Sequence, residues 1–84
     1  MAKIEIYTKS TCGYCHAAKR LFAIKKVSYD ETDVGRDTGA KATMIQRSNG
    51  GRTVPQIFID GKHIGGFDDL NALERKGKLD ALLA

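Results

Sequence analysis

The hydrophobic pattern first changes its period early, and that change limits what the chain can become. Ile4 and Ile6 alternate with Lys3 and Glu5, and Tyr7 continues the series, so residues 3–8 predict a strand. From 12 to 26 the spacing turns helical: Cys15, Ala18, Leu21 and Phe22 share one face, with Lys19, Arg20 and Lys26 elsewhere. Residues 27–33 predict a second, polar strand with Val27 and Tyr29 on one side. Strand, helix, strand in this order implies parallel pairing through a right-handed crossover. Further elements follow that unit in the sequence.

Those later elements are legible. Asp37 can cap a second helix carrying Met44 and Ile45, stopped by Ser48-Asn49-Gly50-Gly51. Residues 56–59 form a compact apolar strand and residues 62–64 a short one, joined by Asp60-Gly61, a strong two-residue hairpin signal. Asp68 or Asp69 is expected to cap a last helix with Leu70 and Leu73 inward. Gly77 interrupts it, and Leu79, Leu82 and Leu83 resume. The result is a small mixed sheet with helices packed on it. A chain of 84 residues predicts one domain, 1–84.

Composition excludes several functions. No apolar run approaches the ~20 residues that span a bilayer. Glu5 arrives before any apolar signal-peptide core develops, so a cytoplasmic protein with no membrane partner is expected. The net charge of +4 is spread along the chain without a dense basic block, which argues for a solvated basic surface over nucleic-acid binding. A modest positive field also attracts a small anionic substrate.

Both cysteines, Cys12 and Cys15, lie in "TCGYCH" at the junction of the first strand and helix. A structural zinc site wants four ligands. The chain offers only these two cysteines with His16 and His63, at no zinc spacing. A structural disulfide here would close a tiny loop and remove little chain entropy. A redox pair fits better: C-x-x-C opening the helix of a β-α-β unit is a thioredoxin-like arrangement. Unpaired N–H groups and the helix dipole at that end favour a thiolate, the nucleophilic form. Lys9, three residues upstream, adds positive charge, and Gly13 leaves the loop tip permissive. Cys15, one turn inward, is the more buried thiol, so Cys12 attacks and Cys15 resolves. Pro55, the only proline, opens a strand, and its bond to Val54 is open to either isomer. Gly65-Gly66-Phe67-Asp68-Asp69 joins the hairpin to the last helix, whose N-terminus suits a carboxylate.

Taken together, "YTKSTCGYCHAAKRLF", "TVPQIFIDGKHIGG" and "DDL" resemble the glutaredoxin family, specifically its short bacterial dithiol class, over nearly the whole chain. The resemblance implies a thioredoxin-like α/β fold, β-α-β-α-β-β-α, with a four-stranded mixed sheet flanked by helices. It implies a glutathione-dependent oxidoreductase acting on protein–glutathione mixed disulfides and protein disulfides. Cys12 is then the nucleophile and Cys15 the resolving thiol. Lys9 neutralises a carboxylate or the thiolate, and Tyr14 flanks the glutathione sulfur. Thr53 and Val54, before a cis Pro55, present backbone groups to the cysteinyl part of glutathione. Phe67 and Asp68 take the γ-glutamyl end. Arg36, Arg47 and Arg52 are candidates for the glycine carboxylate. Ribonucleotide reductase is an implied protein partner, and a monomer is expected. Two positions depart from the family pattern: Gly13 stands where proline is common, and Phe67 where many members carry cysteine or serine. Small residues at the first position occur in members that share a [2Fe–2S] cluster across a dimer, the alternative function, with Cys12 as a ligand.

Overall fold

The structure, a computed structural model, describes residues 2–84. The element order is β1 (Ile4–Thr8), α1 (Gly13–Ile24), β2 (Asp30–Asp33), α2 (Thr38–Arg47), β3 (Gln56–Ile59), β4 (Lys62–Gly65), α3 (Phe67–Arg75) and α4 (Leu79–Leu83). The sheet order is β2-β1-β3-β4, with β1 and β2 parallel and the other two pairs antiparallel. The expected mixed sheet is present, with its last helix split in two.

Strand alternation sorts the core into two layers. Ile4, Ile6, Ile57 and Ile59 face Ala18 and Phe22 of α1, Leu70 of α3, and Leu79 and Leu83 of α4. Tyr7 and Phe58 face the other way, against Val34 and Met44. The polar-looking Glu5 thus lies on a covered face. Arg47 of α2 reaches over it, donating two bonds of 3.0 Å to the Glu5 carboxylate and one of 3.1 Å to the Tyr7 hydroxyl. The Arg47 guanidinium also stands 4.1 Å above the Phe58 ring. The hydrogen bonds from Arg47, and then its charge, hold the Glu5 carboxyl below its ordinary range.

Three expected boundaries move, each for a local reason. The first helix ends at Ile24 because Lys26 turns into the left-handed region (φ 59°). The amides of Lys26 and Val27 then return to the carbonyls of Ala23 and Phe22. That spends the Val27 amide, so β2 begins only at Asp30, and Val27 and Tyr29 pack on the core from the connecting loop. The last helix is not capped by Asp68 or Asp69. It starts at Phe67 behind Gly66, and Asp69 reaches back to accept from the Gly66 amide at 3.1 Å. Asp37 does cap α2, accepting from the Ala40 amide at 3.1 Å. Asp60 and Gly61 both have positive φ, 52° and 78°, which makes the hairpin turn type I′.

Candidate active site

β1 delivers the chain to Lys9–Thr11, where the Cys12 amide donates to the Lys9 carbonyl at 3.1 Å and the turn closes. α1 starts immediately afterwards, with Cys12 as its N-cap. The Cys12 sulfur accepts from the Cys15 amide at 3.2 Å, which occupies one of the free donors at the helix end. The same sulfur lies 3.5 Å from the Val54 carbonyl, to which the thiol donates. Both cysteines are free thiols, Cys12 partly exposed and Cys15 wholly buried. Burial pushes the Cys15 thiol up to about 12, and its contact with Cys12 adds to the effect. Cys15 is therefore a thiol at neutral pH.

A groove of about 460 Å³ opens beside the cysteine loop. Tyr14, Thr53, Val54, Pro55, Phe67 and Asp68 all line it, so six of the expected site residues converge from three separate parts of the chain. The Val54–Pro55 bond is cis. Tyr14 is 65% exposed and stacks on Phe67, ring centroids 6.3 Å apart at 24°. The Gly65–Gly66 turn forms the far wall. Gly65 has φ 119°, and a Cβ there would collide with the Asp69 carboxylate, so glycine is required on both counts.

Lys9 sits elsewhere. With Ser10, Thr11, Asp33, Gly35 and Arg36 it lines a separate cleft of about 300 Å³ on the other flank of the cysteine loop. Of the three candidate arginines, Arg47 is committed to Glu5 and Tyr7, while Arg36 and Arg52 are exposed. His16 lies on the α1 surface, 3.0 Å from the Ser10 carbonyl. Two groove residues escaped the sequence reading: Gln56 and His63. Gln56 falls in an apolar run and His63 in the short second arm of the hairpin, and neither carries a local signal.

The model of the family described as glutaredoxin matches residues 4–64. Glutaredoxin 3 of Escherichia coli (strain K12) is 55% identical over 83 residues, covering 99% of each chain. In three dimensions the chain is similar to the crystal structure of a buckwheat glutaredoxin–glutathione complex, with a TM-score of 0.89 and 34% identity. That match covers 98% of this chain and 76% of the buckwheat one. It is also similar to the solution structure of glutaredoxin from Brucella melitensis, at TM-score 0.85, 47% identity and 99% and 89% coverage. The sheet order and the cysteine-bearing helix thus form a thioredoxin-like fold. With the family model matching most of the chain and a relative of this identity end to end, the chain belongs to the glutaredoxins, the glutathione-dependent disulfide oxidoreductases.

Proposed function

We propose that this protein reduces protein–glutathione mixed disulfides with Cys12 as nucleophile. The observation that carries the reading is a part-exposed sulfur at a helix N-terminus, against a groove, with a buried thiol behind it. The Cys12 thiolate attacks the glutathione sulfur of the mixed disulfide. The old S–S bond breaks, the protein leaves as a thiolate and takes a proton, and Cys12 carries glutathione. A glutathione thiolate then attacks Cys12, forming oxidised glutathione and restoring the enzyme. Thr53 and Val54 hold the cysteinyl backbone as an added strand would. The free N–H groups opening α3, at Phe67 and Asp68, take the γ-glutamyl carboxylate. Tyr14 covers the sulfur. Lys9, on the opposite flank with Arg36, faces the glycine end or the incoming protein.

Protein disulfides follow a second route. The Cys12 thiolate attacks one sulfur, the substrate S–S bond breaks and the other sulfur leaves as a thiolate. Cys15 then loses its proton and attacks Cys12, the mixed disulfide breaks and the substrate departs as a dithiol. This leaves an intramolecular disulfide that two glutathiones reduce, becoming oxidised glutathione. The high pKa of Cys15 makes this second displacement slow while its proton is on. The mixed-disulfide route needs no such step and is the faster one. The deciding experiment is turnover of a glutathionylated peptide coupled to glutathione reductase. Cys12→Ser is expected to lose at least ~10³-fold, since Cys15, the other thiol, is buried and holds its proton. Cys15→Ser is expected to retain activity within a few-fold, about 3. An active Cys12→Ser variant would sink the assignment. Ribonucleotide reductase, the partner expected from the family, is one protein disulfide on which to test the second route. We read the chain as one domain acting as a monomer.

A second reading has one observation behind it. A Cβ at Gly13 would meet nothing within 4 Å, so the space beside Cys12 is open. A [2Fe–2S] cluster takes four thiolate ligands. Among the described residues no three His, Cys, Asp or Glu gather to hold a metal, so one chain does not fit the cluster. Two chains with two glutathiones would be required, and a coloured dimer on anaerobic purification is the result that would establish it.

A further inference from the structure

Gln56 and His63 line the groove and take no part in the chemistry above. Gln56 is buried at the start of β3. His63 stands opposite Phe58 on the edge strand β4, its ring 5.0 Å from the Phe58 ring. The Gln56 Nε2 donates to the Thr53 carbonyl at 3.0 Å and lies 3.5 Å from the Thr53 hydroxyl. Its Oε1 lies 2.7 Å from His63 Nε2. A carbonyl oxygen only accepts, which fixes the amide with nitrogen toward Thr53. Oε1 then only accepts as well, so the hydrogen of that pair rides on His63 Nε2.

The contacts run from His63 to Gln56, from Gln56 to the Thr53 carbonyl, and through the next residue to Val54, whose carbonyl meets the Cys12 thiol. Thr53 and Val54 lie outside every helix and strand, so no ladder fixes their peptide. Gly51 is shaped to the same arrangement. A Cβ there would fall 2.8 Å from Gln56 Nε2 and 2.7 Å from the Ser48 hydroxyl, closer than carbon can approach.

We propose that Gln56 and His63 are positioning residues of the glutathione platform. Gln56 holds the Thr53–Val54 peptide at the angle its backbone groups need, and His63 locks the Gln56 amide in the one orientation that can do so. Neither touches the reacting sulfurs. With the His63 hydrogen removed, the buried Oε1 loses its donor, and the amide is free to rotate away from Thr53. The proposal rests on the glutathione-site reading above.

The test is steady-state turnover of a glutathionylated peptide by wild type, Gln56→Leu, His63→Phe and His63→Gln. His63→Phe keeps a ring on Phe58 and loses only the donor. His63→Gln keeps a donor. The apparent KM for the peptide is expected to rise about 3–10-fold in Gln56→Leu and His63→Phe with kcat nearly unchanged, the size of one lost hydrogen bond. His63→Gln is expected to recover most of it. Alkylation of Cys12 by iodoacetamide should stay close to the wild-type rate in the three variants, because the Cys15 amide still donates to the sulfur. His63 is exposed, so His63→Phe folds even if Gln56→Leu does not, and a thermal melt checks both. Unchanged KM in His63→Phe overturns the proposal, as does a His63→Gln variant no better than His63→Phe. An inactive wild type overturns the glutathione reading and this proposal with it, whereas an active wild type matched by its variants overturns this proposal alone.

Discussion

At the scale of single residues, the two thiols share a loop and differ in surroundings. Cys12 caps a helix with its sulfur, and Cys15 is sealed beneath it. Desolvation raises the Cys15 pKa from the ordinary 9.0 to about 12, so the folded state holds that proton more tightly than the unfolded state does. The stability this contributes is complete below pH 9.0 and is lost as pH rises toward 12. Denaturant melts of reduced wild type and Cys15→Ala across that window are expected to converge as pH rises. Curves that stay parallel would mean the thiol is hydrated. The asymmetry was readable from spacing alone, because residue 15 falls on the apolar face of α1. The pairing of Gln56 with His63 was not, since the two come together only across the hairpin, seven positions apart in sequence.

At the scale of elements, one closure is used three times. α1, α2 and α3 each end with a left-handed residue, Lys26, Asn49 and Gly77, whose following amide returns to the carbonyl five residues back. Asparagine and glycine suit that conformation; lysine does not. Lys26→Gly is therefore expected to stabilise the fold by about 0.5–1 kcal/mol, the relief of left-handed strain less the added freedom of the unfolded chain. A higher denaturation midpoint at unchanged slope would confirm it, and a lower one would show that the lysine side chain contributes contacts. Gly77 and Asn49-Gly50 announce their stops in the sequence. Lys26 carries no such signal, and for that reason the first helix reads two residues too long and the second strand three residues too early.

At the scale of the molecule, Arg47 and Glu5 fasten α2 to the sheet across 42 positions of sequence. The pair is half-buried, with paired hydrogen bonds, and the arginine also covers Tyr7 and Phe58. Removing one partner leaves the other charge uncompensated. Arg47→Leu is expected to cost about 1–3 kcal/mol, and Arg47→Lys to recover only part because the fork is lost. Glu5 has its pKa lowered by Arg47, so the unfolded state takes up the proton first. This part of the stability is present above about pH 4.5 and fades as pH falls through the lower folded value. Glu31 behaves likewise, held down by hydrogen bonds from Thr8 and Lys19. The stability difference between wild type and Arg47→Leu should shrink at low pH. A constant difference would assign the arginine's role to packing over Phe58 instead of charge.

The sequence by itself determined the order of the elements, the cysteine-bearing helix start, the hairpin and the family. These depend on near neighbours: alternation, helical spacing, caps and two-residue turns act over a few positions, so they are written locally. Only the tertiary structure decided that Glu5 faces a covered layer, that Arg47 is committed there while Arg36 flanks the cysteine loop, that Lys9 lies outside the groove, and that Gln56 reaches Thr53 under the hand of His63. Each of these is settled only when the chain folds, whether across the seven positions from Gln56 to His63 or the 42 from Glu5 to Arg47. The energy involved depends on how two surfaces meet, and no short stretch of sequence carries that information.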